Sequence, residues 1–151
     1  MKTQYLKQAV GFVLTALLLV AVPVPAFAAD SSYTVGIDSN ERIVAALKDA
    51  VSGDIVTLTG SGSVILSNTD EIAAAVVLNP AADGTIGISS GRFMGLVTVN
   101  CPIGSQGVTL GGGAYSSLHI IGGEVNLKDS TVGSALGTAV YMTGGSLVLT
   151  E

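Results

Sequence analysis

The sequence is poor in the residues from which most catalytic and binding sites are built. It holds one cysteine, Cys101, and one histidine, His119. Charged residues make up 11% of the chain, and only six are basic. A single cysteine excludes any internal disulfide. It sits in "VTVNCPIG", directly after an alternating apolar stretch, and reads as a buried or turn-lining thiol rather than a nucleophile. Six scattered bases cannot form a phosphate-neutralising stripe, which argues against nucleic acid and anionic lipid headgroups as partners. No GxSxG, HExxH or CxxC motif occurs. The glycine-rich "GGGAY" (Gly111 to Tyr115) leads into no helix that could aim its dipole at phosphate, so it reads as a turn.

What the chain does have begins with an apolar leader. Lys2 and Lys7 precede an uncharged run from Ala9 to Val22, Pro23 and Pro25 break any helix, and Ala26-Phe27-Ala28 places small residues where a signal peptidase reads them. This pattern predicts a secretory signal peptide at 1–28, cleaved after Ala28. The run of 14 residues falls short of the roughly 20 that a spanning helix needs. The leader inflates the mean hydropathy of +0.65. It also removes two of the six bases and none of the eleven acids. The bases Arg42, Lys48, Arg92 and Lys128 remain, and the net charge moves from −5 to −7. A chain of 151 residues suits one domain. Residues 29–37 read as a flexible, unanchored arm, and 38–151 as the folded domain.

The domain opens with "DSNERIVAALKDAVSGD", which predicts an amphipathic helix over about 39–51. Asp38 is placed to cap it, Glu41 completes a capping box, Ile43, Val44, Leu47 and Val51 form one apolar stripe, and Ser52-Gly53 stops it. From "DIVTLTG" (Asp54 to Gly60) onward the chain is a series of short β-branched segments bounded by Gly, Ser, Asn, Asp or Pro. The alanine-rich "EIAAAVV" (Glu71 to Val77) is ambiguous between strand and helix, and the rung register is open across 67–83. The last third repeats. Gly122-Gly123 and Gly144-Gly145 are 22 residues apart, and Leu118/Val140, Ile120/Met142, Val125/Leu147 and Leu127/Leu149 share that offset. Upstream, Val97 and Leu118 stand 21 apart, and Gly91 lies 21 to 22 residues before Gly112-Gly113. A fixed period of this size marks units that bury their apolar faces only by stacking. An antiparallel sandwich uses strands as short but gives no reason for a strict echo. The predicted fold is therefore mostly β, a parallel β-coil whose glycine doublets turn the backbone sharply.

The capped helix running into "AVSGDIVTLTG", followed by rungs such as "GGEVNLKDSTVGSA" and "AVYMTGGSLVLTE", resembles the right-handed parallel β-helix group, the pectin-lyase-like superfamily. It is similar in particular to repeat-containing secreted and surface proteins of bacteria. The resemblance covers about Asp38 to Glu151 and implies that the helix caps the N-terminal end of the coil. Superfamily members that cleave acidic polysaccharides group Asp with Arg or Lys on one sheet. No such group is visible here: Lys128 and Asp129 are neighbours on a strand and so point oppositely. The acidic pair Asp70-Glu71 has no base nearby in sequence and reads as a solvated turn.

No catalytic residue, cofactor or metal is assigned. Three residues are left as candidates for surface contact: Tyr115, His119 and Tyr141. With Leu118 and Ile120 inward, alternation turns His119 outward and alone, and with Val140 and Met142 inward it turns Tyr141 outward. The expected function is a secreted or surface-displayed β-helix acting in adhesion or in recognition of an extracellular polysaccharide or cell-surface ligand. The alternative is the N-terminal fragment of a polysaccharide lyase or glycoside hydrolase with its active rungs beyond residue 151. The repeat stops mid-phrase at Glu151, which predicts a truncated stack with an open C-terminal edge through which chains self-associate.

Overall fold

A computed structural model of the chain describes residues 32–102, 104–133 and 138–151; the predicted signal peptide at 1–28 lies outside them. Short apolar stretches separated by turn residues give strands that each lack a partner within their own turn, so each pairs with the turn above or below it. The chain runs β1 (Ser32–Gly36), α1 (Asn40–Asp49), β2 (Ile55–Gly60), β3 (Gly62–Ile65), β4 (Glu71–Ile72), β5 (Ala75–Pro80), β6 (Thr85–Ser89) and β7 (Arg92–Asn100). It continues through β8 (Gly107–Gly111), β9 (Ala114–Gly122), β10 (Glu124–Lys128), β11 (Thr131–Val132), β12 (Val140–Met142) and β13 (Ser146–Thr150). The described pairings are all parallel. One sheet is ordered β1-β2-β5-β7-β9-β11, with β4 also on β7 and β12 on β9; the other is ordered β13-β10-β8-β6-β3. The result is a parallel β-solenoid of about four turns.

The register carries the 22-residue echo directly. Leu118 lies beside Val140 and Ile120 beside Met142, while Val125 lies beside Leu147 and Leu127 beside Leu149. Inside the coil this stacks like on like. Val56, Val76, Val97 and Leu118 form one column in the first sheet, and Leu58, Leu78, Val99 and Ile120 the next, each at most 1% exposed. Burying such a side chain is worth about 1.5–3 kcal/mol. These columns are therefore the main favourable term.

Several expectations need correction. Ser32–Gly36 is not an unanchored arm: it pairs in parallel with β2 from Ser32/Ile55 to Gly36/Thr59. Asp38 does not cap the helix. Ser39 holds the N-cap position without a side-chain bond, and Asp38 instead takes Arg42 at 3.1 Å, one turn on. The buried stripe is Ile43, Leu47 and Ala50; Val51 lies past the helix end and is exposed. Residues 71–80 form no helix: β4 (Glu71–Ile72) and β5 (Ala75–Pro80) flank a bend at Ala73–Ala74, and Ile72, Ala74, Val76 and Leu78 are buried in alternation.

The helix is fastened to the solenoid by polar groups as well as by its apolar stripe. Asn40 accepts a bond from the Ile65 amide at 2.7 Å and donates to the Ile65 carbonyl at 3.4 Å, occupying the edge of β3 that faces away from β6. An exposed strand edge is otherwise a template for pairing. Asp54, which is buried, closes the connection into β2 by accepting from the Val51 amide at 3.0 Å while its own amide donates to the Val51 carbonyl at 3.1 Å.

Two kinds of corner wind the coil. Where β9 passes to β10, Gly123 has φ +81°, and Gly145 has φ +79° one turn on. Both lie in the left-handed region that costs other residues about 1–2 kcal/mol. Gly123 also seats Cys101 of the preceding turn, whose Sγ would lie 2.7 Å from any β-carbon there. The corner after the second sheet stacks Ser90 (φ 68°), Gly112 (φ 62°) and Asp129 (φ 46°). The Ser90 amide donates to the Gly111 carbonyl at 2.6 Å, and that of Gly112 to the Lys128 carbonyl at 2.9 Å. Asp129 has thus left the β10 strand, and strand alternation does not govern its direction relative to Lys128.

Gly123→Ala should lower the free energy of unfolding by at least about 1–2 kcal/mol, read as a reduced urea midpoint. Gly133→Ala, with no atom within 4 Å of a β-carbon, should leave the midpoint nearly unchanged. Equal midpoints for the two variants would remove the corner role assigned to Gly123.

Candidate functional site

Parallel stacking that lines up the core also lines up the outer face. On the first sheet the outward positions are Ile55, Thr57 and Thr59 of β2, Ala75, Val77 and Asn79 of β5, and Leu96, Thr98 and Asn100 of β7. Ser117 and His119 of β9 and Tyr141 of β12 continue them. None of these side chains carries a full formal charge, in a chain whose net charge is −5. Strands repeat along this face about every 4.7–4.9 Å.

At one end of this face His119 lies in register between Thr98 and Tyr141. The rings of His119 and Tyr141 are 5.0 Å apart, tilted by 39°, within the range of favourable aromatic contacts. His119 does turn outward, as alternation predicts, but it is not alone. His119 Nε2 is out of contact with solvent and has no hydrogen-bond partner. Tyr141 is 57% exposed and presents the larger ring surface.

Tyr115 is elsewhere. It is 2% exposed and stacks on Phe93, with centroids 5.0 Å apart and planes 13° from parallel. Its hydroxyl is buried without a partner, and burial pushes the phenol far above its usual range. The expectation of surface contact for Tyr115 is therefore corrected: it is a core residue. The reason is a bend. Leu118 and Ile120 alternate inward, and counting back from them would put Tyr115 outside. The β7–β9 register shifts between Phe93 and Leu96, so the strands change face there. Inside this bend Ile72, Phe93 and Tyr115 form a third buried column. A depression of about 310 Å³ lies on the surface nearby, lined in part by Arg92, Met94, Ser116 and Thr131.

The acidic pair is not a bare solvated turn. Lys48 Nζ of the helix reaches Asp70 at 2.8 Å, and Arg92 of the next turn reaches Glu71 at 2.8 Å. The rung period was the signal for the second contact, since Glu71 and Arg92 are stacked neighbours 21 residues apart. The same reasoning finds Tyr141 over His119. Cys101 is half-buried, and burial raises its thiol above the usual range, more than the Ser105 hydrogen bond lowers it. A thiol held in this form is a poor nucleophile. Among the described residues no three His, Cys, Asp or Glu side chains come together as a metal site, and no helix is long and apolar enough to cross a membrane.

No protein-family model, curated protein or solved structure matches the chain.

The Lys48 hydrogen bond, followed by the Ser67 amide, holds the Asp70 carboxyl below its ordinary 3.8. A depressed folded value means that its contribution is complete above the unfolded value, near pH 4, and is lost as pH falls through the folded one. Asp70→Asn should therefore flatten the decline of unfolding free energy on acidification below about pH 4. Parallel acid profiles for the two proteins would contradict this.

Proposed function

We propose that the chain is an exported or surface-displayed β-solenoid, akin to the right-handed parallel β-helix proteins of the pectin-lyase-like type. In this reading it recognises a carbohydrate or cell-surface ligand non-catalytically, along the outer face of its first sheet. The observation that carries the reading is the uncharged, in-register face ending in the His119–Tyr141 ring pair. A sheet of threonine, asparagine and aliphatic side chains offers both hydrogen-bonding groups and apolar patches at a regular spacing. That pattern suits a repeating chain of sugar rings, whose edges are polar and whose faces are apolar. Tyr141 supplies the exposed ring on which a sugar stacks, and His119 holds it from beneath.

The leader supports delivery outside the cell. The exported chain should begin at Ala29, which N-terminal sequencing of the mature protein reads directly; retention of residues 1–28 would move the protein to an anchored form.

The recognition reading is tested by affinity on immobilised extracellular polysaccharides, neutral and acidic. Tyr141→Ala should weaken retention about three- to tenfold, the loss expected for one aromatic contact. Its fold should be unchanged, because the side chain is exposed. Retention unaffected by Tyr141→Ala would move the contact off this face. Release of shortened or unsaturated sugars would replace recognition by the depolymerase alternative.

A further inference from the structure

The outer face of the first sheet is graded across its strands. Ile55, Ala75 and Leu96 form one outward column, and Thr59, Asn79 and Asn100 form another, four residues further along each strand. Between them runs the column of Thr57, Val77 and Thr98, which His119 and Tyr141 continue. Each margin lies about 7 Å from that middle column, two residues of extended chain. Ile55 and Leu96 are 43% and 41% exposed, so one margin is aliphatic and open to solvent. The other margin is hydroxyl and amide. The side chains of Asn79 and Asn100 make no hydrogen bond among the described residues, whereas Asn40 commits both of its groups to the Ile65 backbone. Each idle amide offers two donor hydrogens and an acceptor at one place.

Among the described residues no cation stands on this face. Arg42, Lys48 and Arg92 are held by Asp38, Asp70 and Glu71 at 3.1, 2.8 and 2.8 Å, and Lys128 stands on β10 of the second sheet. An anionic polymer would give up water around its charges and receive no ion pair in return, on a chain whose net charge is also negative. Sugar hydroxyls meet no such penalty, since they donate and accept as the amides do. Resting on the recognition reading above, we propose that the ligand of this face is an uncharged polysaccharide lying along the solenoid axis, across the strands. Its rings follow the middle column to His119 and Tyr141. Their C–H surfaces lean on Ile55 and Leu96, and the hydroxyls of the opposite edge meet Asn79 and Asn100. The direction follows from the grading. A polymer laid along one strand passes from aliphatic to amide groups within four residues, whereas one laid across the strands meets like groups at every turn.

The test is electrophoresis of the chain, as the expressing cell processes it, through native gels containing hydroxyethyl cellulose, galactomannan, polygalacturonate or alginate. At least one of the two neutral polymers should retard it and neither anionic one should, with little change as salt rises from about 50 to 200 mM. Leu96→Ala and Asn100→Ala should each weaken retention about two- to tenfold, the range of one modest contact. Circular dichroism should be unchanged in both, because both side chains are exposed. Retention of the parent by an anionic polymer, lost in Tyr141→Ala, would overturn the uncharged class and leave the recognition face standing. Neutral retention that Tyr141→Ala abolishes but Leu96→Ala and Asn100→Ala leave intact would overturn the axial path. Retention by none of the four polymers, or retention indifferent to all three substitutions, would remove the recognition face and this inference with it. A dimer in sedimentation that Leu96→Ala disperses would give the face to a second copy of the chain instead.

Discussion

Parallel pairing in register is the constraint from which the rest of the molecule follows. When successive turns run in the same direction, a residue lies beside its counterpart one turn away, and its side chain must share space with that counterpart rather than with a complementary one. Apolar columns such as Leu58–Leu78–Val99–Ile120 satisfy this because close-packed aliphatic groups tolerate repetition. Repeated buried charge would not, and the described interior columns contain none. The same rule orders the surface. Glu71 over Arg92 is an alternation of sign that a parallel stack accepts, and Tyr141 over His119 is a ring on a ring.

The turns need not be equally long, because the corners absorb the difference. Steps from β2 through β5 and β7 to β9 are 20 to 22 residues, whereas β9 to β11 and β8 to β10 take 17 and β3 to β6 takes 24. What the corners share is backbone conformation. Glycine occupies most of them, but Ser90 and Asp129 hold the same left-handed geometry at φ 68° and 46°. Short polar side chains tolerate this region better than branched ones do.

This variation explains how far the fold could be read before the structure was known. From Leu118 onward the step is a constant 22, so pairings such as Val125 with Leu147 were legible to the residue. Upstream, two corners use glycine for different bends. Gly91 and Gly113 stack with each other, as their spacing suggests, but they sit where the second sheet ends and not where Gly123 and Gly145 turn the chain. One motif at two places blurs a single period. The 67–83 stretch was opaque for another reason: its alanines fill both strand and helix patterns, and only the buried sequence Ile72, Ala74, Val76, Leu78 decides for strand. Site residues divide in the same way. Alternation placed His119 and Tyr141 correctly because β9 is regular around them. Tyr115, singled out without an alternation argument, lies across a change of face from Leu118 and is buried.

The bend that hides Tyr115 also separates two kinds of surface. On its near side lie Arg92, Glu71 and, through Asp70, Lys48 of the helix. The Arg92–Glu71 pair, exposed on both sides, adds little to stability by itself. What the two pairs do is keep the bases occupied by acids in a chain with an acid excess. Beyond the bend the first sheet carries no charge on its outer positions from Ile55 to Tyr141. A ligand meeting that face would be held by ring contact, hydrogen bonds and shape, all short in range. Its affinity then grows with the number of turns engaged at once, since each additional strand brings a similar row of groups into reach. A solenoid is a fold in which that number follows from the count of repeats, and the proposed recognition face depends on that property.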